Sequence, residues 1–278
     1  MFLAIGELLL DVTIRQSGQL NFDDDNAASI SLGGGGQAAN FCAWAAALGE
    51  QATLVTRVGA DESGRRLVAE IERSGVKVRV VVGADPTGAI AVFVEAGRRT
   101  FSTQRGASVN LRPEDLEPAW FEGAQLLHVP AYSLFLEPLA SASRRAIELA
   151  RQSGAVISVD LSSAAGIREY GGARMAYELA VLRPELLFAN EAEAAEVGVP
   201  LEGLAKLPVL KLGSRGCQVF GRRVPAPSVD EVDPNGAGDA FAAAFAAAYL
   251  DGATPLEAAG RAVLVGARAV QLPGARPV

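Results

Sequence analysis

Short runs of apolar residues alternate with longer stretches in which apolar residues recur every three or four positions, and this rhythm covers most of the 278 residues. The short runs at 2–5, 52–57, 77–82, 125–129, 155–160, 186–189, 209–212 and 217–221 read as strands. Between them, 37–48, 62–74, 138–153, 174–181, 191–197, 237–250 and 255–270 read as helices. Several strand runs are apolar throughout, as strands covered on both faces are. Alternating strands and helices of this kind predict an α/β protein with a mostly parallel, doubly wound sheet.

Two regions break the rhythm, 9–32 and 87–106. In the second, Ala89-Ile-Ala-Val-Phe-Val-Glu95 and Arg98-Arg-Thr-Phe-Ser-Thr103 read as a hairpin around Ala96-Gly97. The two regions are candidates to pair in space as a small β lid over a site, and by pattern alone an ordinary surface excursion explains them equally well. Neither an internal repeat nor a low-complexity linker divides the chain, so a single domain over 1–278 is expected, with the lid made of discontinuous segments.

Composition narrows the function. Half the residues are hydrophobic, ample for a large core, and the formal net charge is −7 without a basic stripe, which argues against a nucleic-acid partner. Cys42 and Cys217 are two isolated cysteines, too few for a disulfide framework or zinc cluster, and they fit a reducing cytoplasm. His128 is the single histidine, in a strand-like setting, so histidine-based acid–base chemistry has little to draw on. The longest apolar run, 240–250, falls short of the ~20 residues that span a bilayer, and no leader peptide is apparent, so no membrane partner is expected.

Chemistry concentrates in Asp233-Pro-Asn-Gly-Ala-Gly-Asp239, which runs into an alanine-rich helix. Glycines let backbone N–H groups converge and the helix start adds partial positive charge, so the segment predicts an anion site. A carboxylate at its rim, Asp239, is electrostatically unwelcome there unless it takes a proton from a nucleophile attacking a phosphoryl group. An Asp of ordinary acidity is ionised at neutral pH and suits that task. A second glycine cluster, Leu32-Gly-Gly-Gly-Gly-Gln-Ala-Ala-Asn40, offers either close backbone approach to a ligand or a tight helix entry. Its Gly34-x-Gly36-x-x-Ala39 spacing is a weak dinucleotide match, because no strand is predicted immediately before it and 56–57 supply no ribose-binding acid. Phe188-Ala-Asn-Glu-Ala-Glu193 reads as a helix cap or as an organiser of hydrated Mg²⁺. Leu210-Lys-Leu-Gly-Ser-Arg-Gly216 reads as a hairpin turn or as a nucleotide rim.

In order and spacing, these segments together with Ala47-Leu-Gly49, Val58-Gly-Ala-Asp61, Gly64 and Gly75-Val76 resemble the landmarks of the ribokinase-like (PfkB) carbohydrate kinases, from about Gly6 to Gly274. The resemblance implies a three-layer α/β/α fold with a β lid and transfer of the ATP γ-phosphoryl group to a hydroxyl of a small sugar. It implies Asp239 as the base and Gly236, Ala237 and Gly238 as the anion hole. Asp11, Gly35, Gly36, Gln37 and Asn40 would face the acceptor; Asn190, Lys211, Gly213 and Gly216 the nucleotide. Glu193 would organise Mg²⁺ with Asn190, and Asp233 would help hold a monovalent cation such as K⁺.

The chain departs from the family pattern in places. Pro234 stands where Thr is common, Val159-Asp-Leu-Ser-Ser163 lacks the Asp-Pro-Asn continuation of many sugar kinases, and 259–266 lack a frequent Asn. Gln37 replaces a Lys of ribose-type members, which favours an unphosphorylated acceptor, whereas Arg98, Arg99 and Arg105 would suit a sugar phosphate or acid. A nucleoside kinase is the alternative, with Phe22, Phe93 or Phe101 available to a base; a non-catalytic ligand-binding paralogue is a further one. Members of the family pair through the lid, and Ile90, Val92 and Val94 are candidates for such a homodimer edge.

Overall fold

The computed structural model describes residues 1–19, 21–95 and 98–277, the side chains of 95, 98 and 99 excepted. The elements are β1 (Phe2–Ile5), β2 (Leu9–Gln16), β3 (Ala28–Gly35), α1 (Gln37–Ala47), β4 (Ala52–Gly59), α2 (Glu62–Arg73), β5 (Lys77–Gly83), β6 (Thr87–Glu95) and β7 (Arg98–Gly106). They continue with β8 (Leu126–Pro130), α3 (Tyr132–Phe135), α4 (Leu139–Gln152), β9 (Val156–Asp160), α5 (Ala164–Tyr170), α6 (Gly172–Leu182), β10 (Leu186–Asn190) and α7 (Glu191–Val197). The chain ends with β11 (Leu207–Lys211), β12 (Cys217–Val219), β13 (Arg222–Val224), α8 (Ala237–Leu250) and α9 (Pro255–Ala269).

The large sheet runs β13-β12-β11-β10-β9-β8-β1-β4-β5 and is parallel except for β12 and β13. One apolar layer gathers α1, α2, α8 and α9 on one face; α3 to α7 supply the layer on the other. This is the predicted three-layer arrangement. Strands such as β1 and β8 are buried at every position, which is why their sequences are continuous apolar runs. Helix starts follow local chemistry. Asp61 caps α2 by accepting from Gly64 N–H at 2.7 Å, and Thr254 with Glu257 forms a reciprocal capping box at the start of α9.

From β1 the order proceeds through β4 and β5 on one side and through β8 to β11 on the other, so it reverses at β1. A sheet of this kind leaves a crevice beyond the carboxyl ends of its strands at the reversal. Asp160, Asn190 and Lys211 each end a strand on that edge.

The interruptions form a second sheet, ordered β3-β2-β6-β7, with β2 parallel to β6. Regions 9–32 and 87–106 therefore pair in space, although the hairpin turn at Ala96-Gly97 lies outside the described residues. Two expectations need correction. A strand does feed the glycine cluster at 32–40, because β3 runs antiparallel to β2 up to Gly35; the glycines hide it in the sequence. Ile90, Val92 and Val94 lie on β6, which is an interior strand of this sheet, and Val92 is buried. The strand pattern also did not anticipate the short helices α3 and α5 or strand β13.

His128 is buried in β8, stacked on Phe41 at 3.9 Å with Nδ1 2.9 Å from Ser158 Oγ, and burial pushes its pKa down to about 3, which keeps the ring neutral. Both cysteines are free and buried. Among the described residues no helix is long and apolar enough to cross a membrane.

Candidate active site

Helix α8 starts at a glycine. Gly236 has φ 75°, a left-handed conformation that suits glycine, and a Cβ there would stand 2.0 Å from the Ala275 carbonyl oxygen. No side chain caps this helix, and of its first N–H groups, which have no intrahelical acceptors, that of Ala237 reaches back to the Pro234 carbonyl at 3.4 Å while the turn as a whole points positive charge toward an anion. Helix α1 begins similarly after Gly36 at φ 99°, where a Cβ would lie 2.3 Å from the Glu7 carbonyl oxygen. The two helices pack side by side through alanines, and their contact joins the two glycine segments.

At that contact Asn40 Nδ2 donates to Asp239 Oδ2 at 2.9 Å. Asp239 is only 8% exposed. Burial pushes its carboxyl up to about 7; hydrogen bonds from Asn40 and Gln37 and the charge of Lys211 oppose the shift, and Asp160 adds to it. The expectation of an Asp of ordinary acidity is thereby corrected: the group sits at the midpoint of its titration near neutral pH. That is a suitable poise for a general base.

Asp11, from β2, faces the same space. Burial and the nearby carboxylates of Asp233 and Glu70 push its pKa up to about 6 against the pull of Arg276. A Cβ on Gly35 would come within 2.0 Å of Asp11 Oδ1, so the space over Gly35 belongs to that carboxylate. Asp11 Oδ1 and Gln37 Oε1 are buried without hydrogen-bond partners. Buried polar atoms are ordinarily satisfied, so among the described residues these two are left with capacity to accept from a ligand's hydroxyls.

The nucleotide candidates share a cleft of about 600 Å³. Asn190, Lys211, Gly213 and Gly216 line it with Pro234, Ala237 and Gly238, and Phe241, Val263 and Val270 give it an apolar wall. It therefore ends at the first turn of α8, one residue from Asp239. Lys211 Nζ stands 2.5 Å from Asp160 Oδ2, and Glu193 and Asp239 also act on its charge.

Asn190 and Glu193 are a capping box: Asn190 Oδ1 accepts from Glu193 N–H at 2.9 Å while Glu193 accepts from the Asn190 backbone N–H and side chain at 2.8 Å each. Burial, with Asp160 adding to it, pushes the Glu193 carboxyl up to about 6. The charge of Lys211 and the hydrogen bond from the Asn190 backbone oppose that shift. Among the described residues no group of three or more His, Cys, Asp or Glu is placed to hold a metal ion.

Asp233 has other work. Its carboxylate accepts from Asn235 N–H at 3.0 Å and Gly274 N–H at 3.2 Å, with Arg15 at 3.7 Å. These contacts tie the segment at Gly274 to the anion loop. Arg105 is engaged as well, paired with buried Glu7 and stacked 4.2 Å over Tyr132, so it is not a free anion receptor. The side chains of Arg98 and Arg99 lie outside the described residues.

Two site residues escaped sequence reading. Asp160 carries a signal, an acid ending a parallel strand, which the missing Pro-Asn continuation obscures. Arg276, whose Nε–H donates to Asn40 Oδ1 at 3.0 Å, follows the last landmark and carried none.

The profile of the pfkB family carbohydrate kinases matches residues 1–278. Fructokinase-1 of Oryza sativa subsp. japonica is 30% identical over 266 residues, covering 88% of this chain and 81% of that protein. Among solved structures, the adenosine kinase from Sinorhizobium meliloti superposes with a TM-score of 0.87 at 25% identity, over 100% of this chain and 95% of that one. A putative ribokinase II from E. coli in complex with ATP and Mg²⁺ gives a TM-score of 0.84 at 25% identity, over 99% and 94%.

Proposed function

Because the chain belongs to the pfkB family of carbohydrate kinases, we propose that it transfers the γ-phosphoryl group of ATP to a hydroxyl of a small sugar held between Asp11, Gly35, Gln37 and Asn40. The observation that carries this reading is the Asn40–Asp239 contact at 2.9 Å, which joins the acceptor-side helix to the anion-hole helix at the end of the nucleotide cleft. ATP lies in the cleft with its phosphates toward Gly236, Ala237 and Gly238. The acceptor hydroxyl lies beside Asp239. As the hydroxyl oxygen attacks the γ-phosphorus, the bridging bond to ADP breaks, and Asp239 accepts the hydroxyl proton. The N–H cradle at the start of α8 is already oriented, so it stabilises the spread negative charge without reorganising. Asn190 and Glu193 would hold Mg²⁺, which neutralises charge on the phosphate oxygens when bound.

The decisive experiment is turnover of free sugars and nucleosides with MgATP, following ADP release and product phosphate. Phosphorylation of fructose or another neutral sugar is expected. Turnover of adenosine or inosine alone would replace the sugar reading with the nucleoside one, and nucleotide binding without any acceptor turnover would point to a non-catalytic paralogue. One observation favours the nucleoside alternative: Phe101 is aligned with Val92 and Thr13, on the same lid face as Asp11, and is 56% exposed. Phe93 is on the opposite face, aligned with Ile14 and Ile30.

That opposite face carries exposed Ile30, Leu32 and Phe93. It is the proposed homodimer surface, in place of Ile90, Val92 and Val94. Sedimentation velocity should show a dimer that Phe93→Glu converts to a monomer; a monomeric parent protein sinks this arrangement.

A further inference from the structure

The last turn of chain is stitched into the acceptor site. Trp44 Nε1–H donates to the Ala275 carbonyl at 3.1 Å and Gly274 N–H to Asp233 at 3.2 Å, which fixes the two residues that lead into Arg276. That guanidinium is 9% exposed. Its Nε–H donates to Asn40 Oδ1 at 3.0 Å and its Nη2 to the Gly35 carbonyl at 2.6 Å. Among the described residues Nη1 finds no hydrogen-bond partner and stands 3.6 Å from Glu70, which itself accepts from Gly34 N–H at 3.1 Å. One side chain from the end of the chain therefore contacts both the glycine loop and the residue that touches the proposed base.

We propose that Arg276 is a positioning residue of the acceptor site, fixing the Asn40 amide so that its NH₂ end faces Asp239 and bracing Gly35 against the acceptor. The reason lies in hydrogen-bond polarity. A side-chain amide presents a carbonyl oxygen at one end and two donors at the other, and rotating it exchanges them. The carbonyl end toward Asp239 would suit a protonated carboxyl; the NH₂ end suits a carboxylate. Arginine is a donor only, and it stays charged, so beside Asn40 it accepts just the second arrangement. The charged groups facing Asp239 are Asp160 from β9, Lys211 from β11 and Arg276 from the tail, with uncharged Asn40 and Gln37 from α1. Lys211 is already paired with Asp160. Loss of Arg276 removes a cation and frees the amide, and both changes favour the protonated acid.

This inference rests on the reading of Asp239 as the base, so its test has a readout that needs no turnover. In protein labelled at the aspartate carboxyl carbons, the Asp239 resonance is assigned with Asp239→Asn and titrated by NMR, beside kcat and KM measured across pH with the sugar found by the screen. In Arg276→Gln, the Asp239 titration and the acidic limb of kcat should both move up by about one unit, a tenfold change in proton affinity. Arg276→Gln should shift the limb by less in the Asn40→Ala background than in the parent, because the part of its effect that passes through the Asn40 amide is already gone there and only its charge remains. Arg276→Lys keeps the charge without the planar fork, so a shift of about half a unit and a raised acceptor KM are expected. A uniform loss of rate that tracks a lower melting temperature, with limb and resonance unmoved, overturns the proposal, as does additivity in the double variant. If Arg276→Gln does not fold, an unmoved limb and KM in Arg276→Lys overturn it equally. A resonance that moves in a protein phosphorylating no acceptor supports the positioning role and fails the kinase reading instead.

Discussion

Asp239→Asn is expected to lower kcat by about 10²–10⁴-fold, the usual contribution of a positioned general base, while leaving ATP binding intact. The amide keeps the size of the carboxylate and still offers an oxygen to Asn40, so the α1–α8 contact persists. What it lacks is the ability to take a proton. In the parent protein kcat should rise with pH through about 7, where the buried Asp239 carboxyl loses its proton. The same shift makes a stability prediction of defined sign. The folded protein holds this proton up to about pH 7, against an ordinary value of 3.8, so the group's contribution to stability is complete below about pH 4 and is lost as pH rises through 7. Three units correspond to on the order of 4 kcal/mol. Asn is neutral throughout, so the variant should be more stable than the parent at pH 9 and lack that part of the pH dependence. Denaturant unfolding at several pH values, with isothermal nucleotide titration and single-turnover rates, checks all three. A variant that phosphorylates at the parent's rate removes Asp239 from the role of base.

Local chemistry was legible in the sequence, and long-range chemistry was not. The Gly236–Asp239 turn could be read because a glycine, a helix start and a carboxylate imply an anion site within one short segment. Asn190-Glu-Ala-Glu193 could be read as a cap for the same reason, and the box is present at the residues expected. The second sheet was half legible: β6 holds an unbroken apolar run from Ala89 to Val94, but β2 carries Asp11 and Arg15, and β3 ends in glycines that mask its extended backbone. The acidity of Asp239 could not be read at all, because burial by helices and strands far apart in sequence sets it. Nor could Arg276, which meets Asn40 across a separation of 236 residues and belongs to no periodic element. Ile90, Val92 and Val94 show how an apolar strand pattern leaves open whether the strand is an edge, since alternation reports faces and not neighbours.

Gly236→Ala and Gly238→Ala should fail in different ways, although the two glycines are two residues apart in one motif. At Gly236 the backbone is left-handed at φ 75°, which costs an alanine roughly 1 kcal/mol, and the new Cβ would lie 2.0 Å from the Ala275 carbonyl oxygen. Relief requires the tail to move. That tail holds Asp233 through Gly274, Trp44 through Ala275 and Asn40 through Arg276, so the start of α8 and the acceptor side lose alignment together. Gly236→Ala should therefore melt several degrees lower, and kcat should fall by about 10²–10³-fold, the effect of misplacing one preorganised donor. At Gly238 a Cβ would meet only Lys211 Nζ, at 3.4 Å, and the residue lines the nucleotide cleft. Gly238→Ala should keep the parent's melting temperature and place its methyl group where the phosphates bind, raising the KM for ATP at least tenfold. Thermal unfolding and ATP saturation curves of the two variants separate strain behind the anion hole from obstruction in front of it. Equal melting temperatures with equal ATP affinities would show that neither glycine is held by the contacts assigned to it.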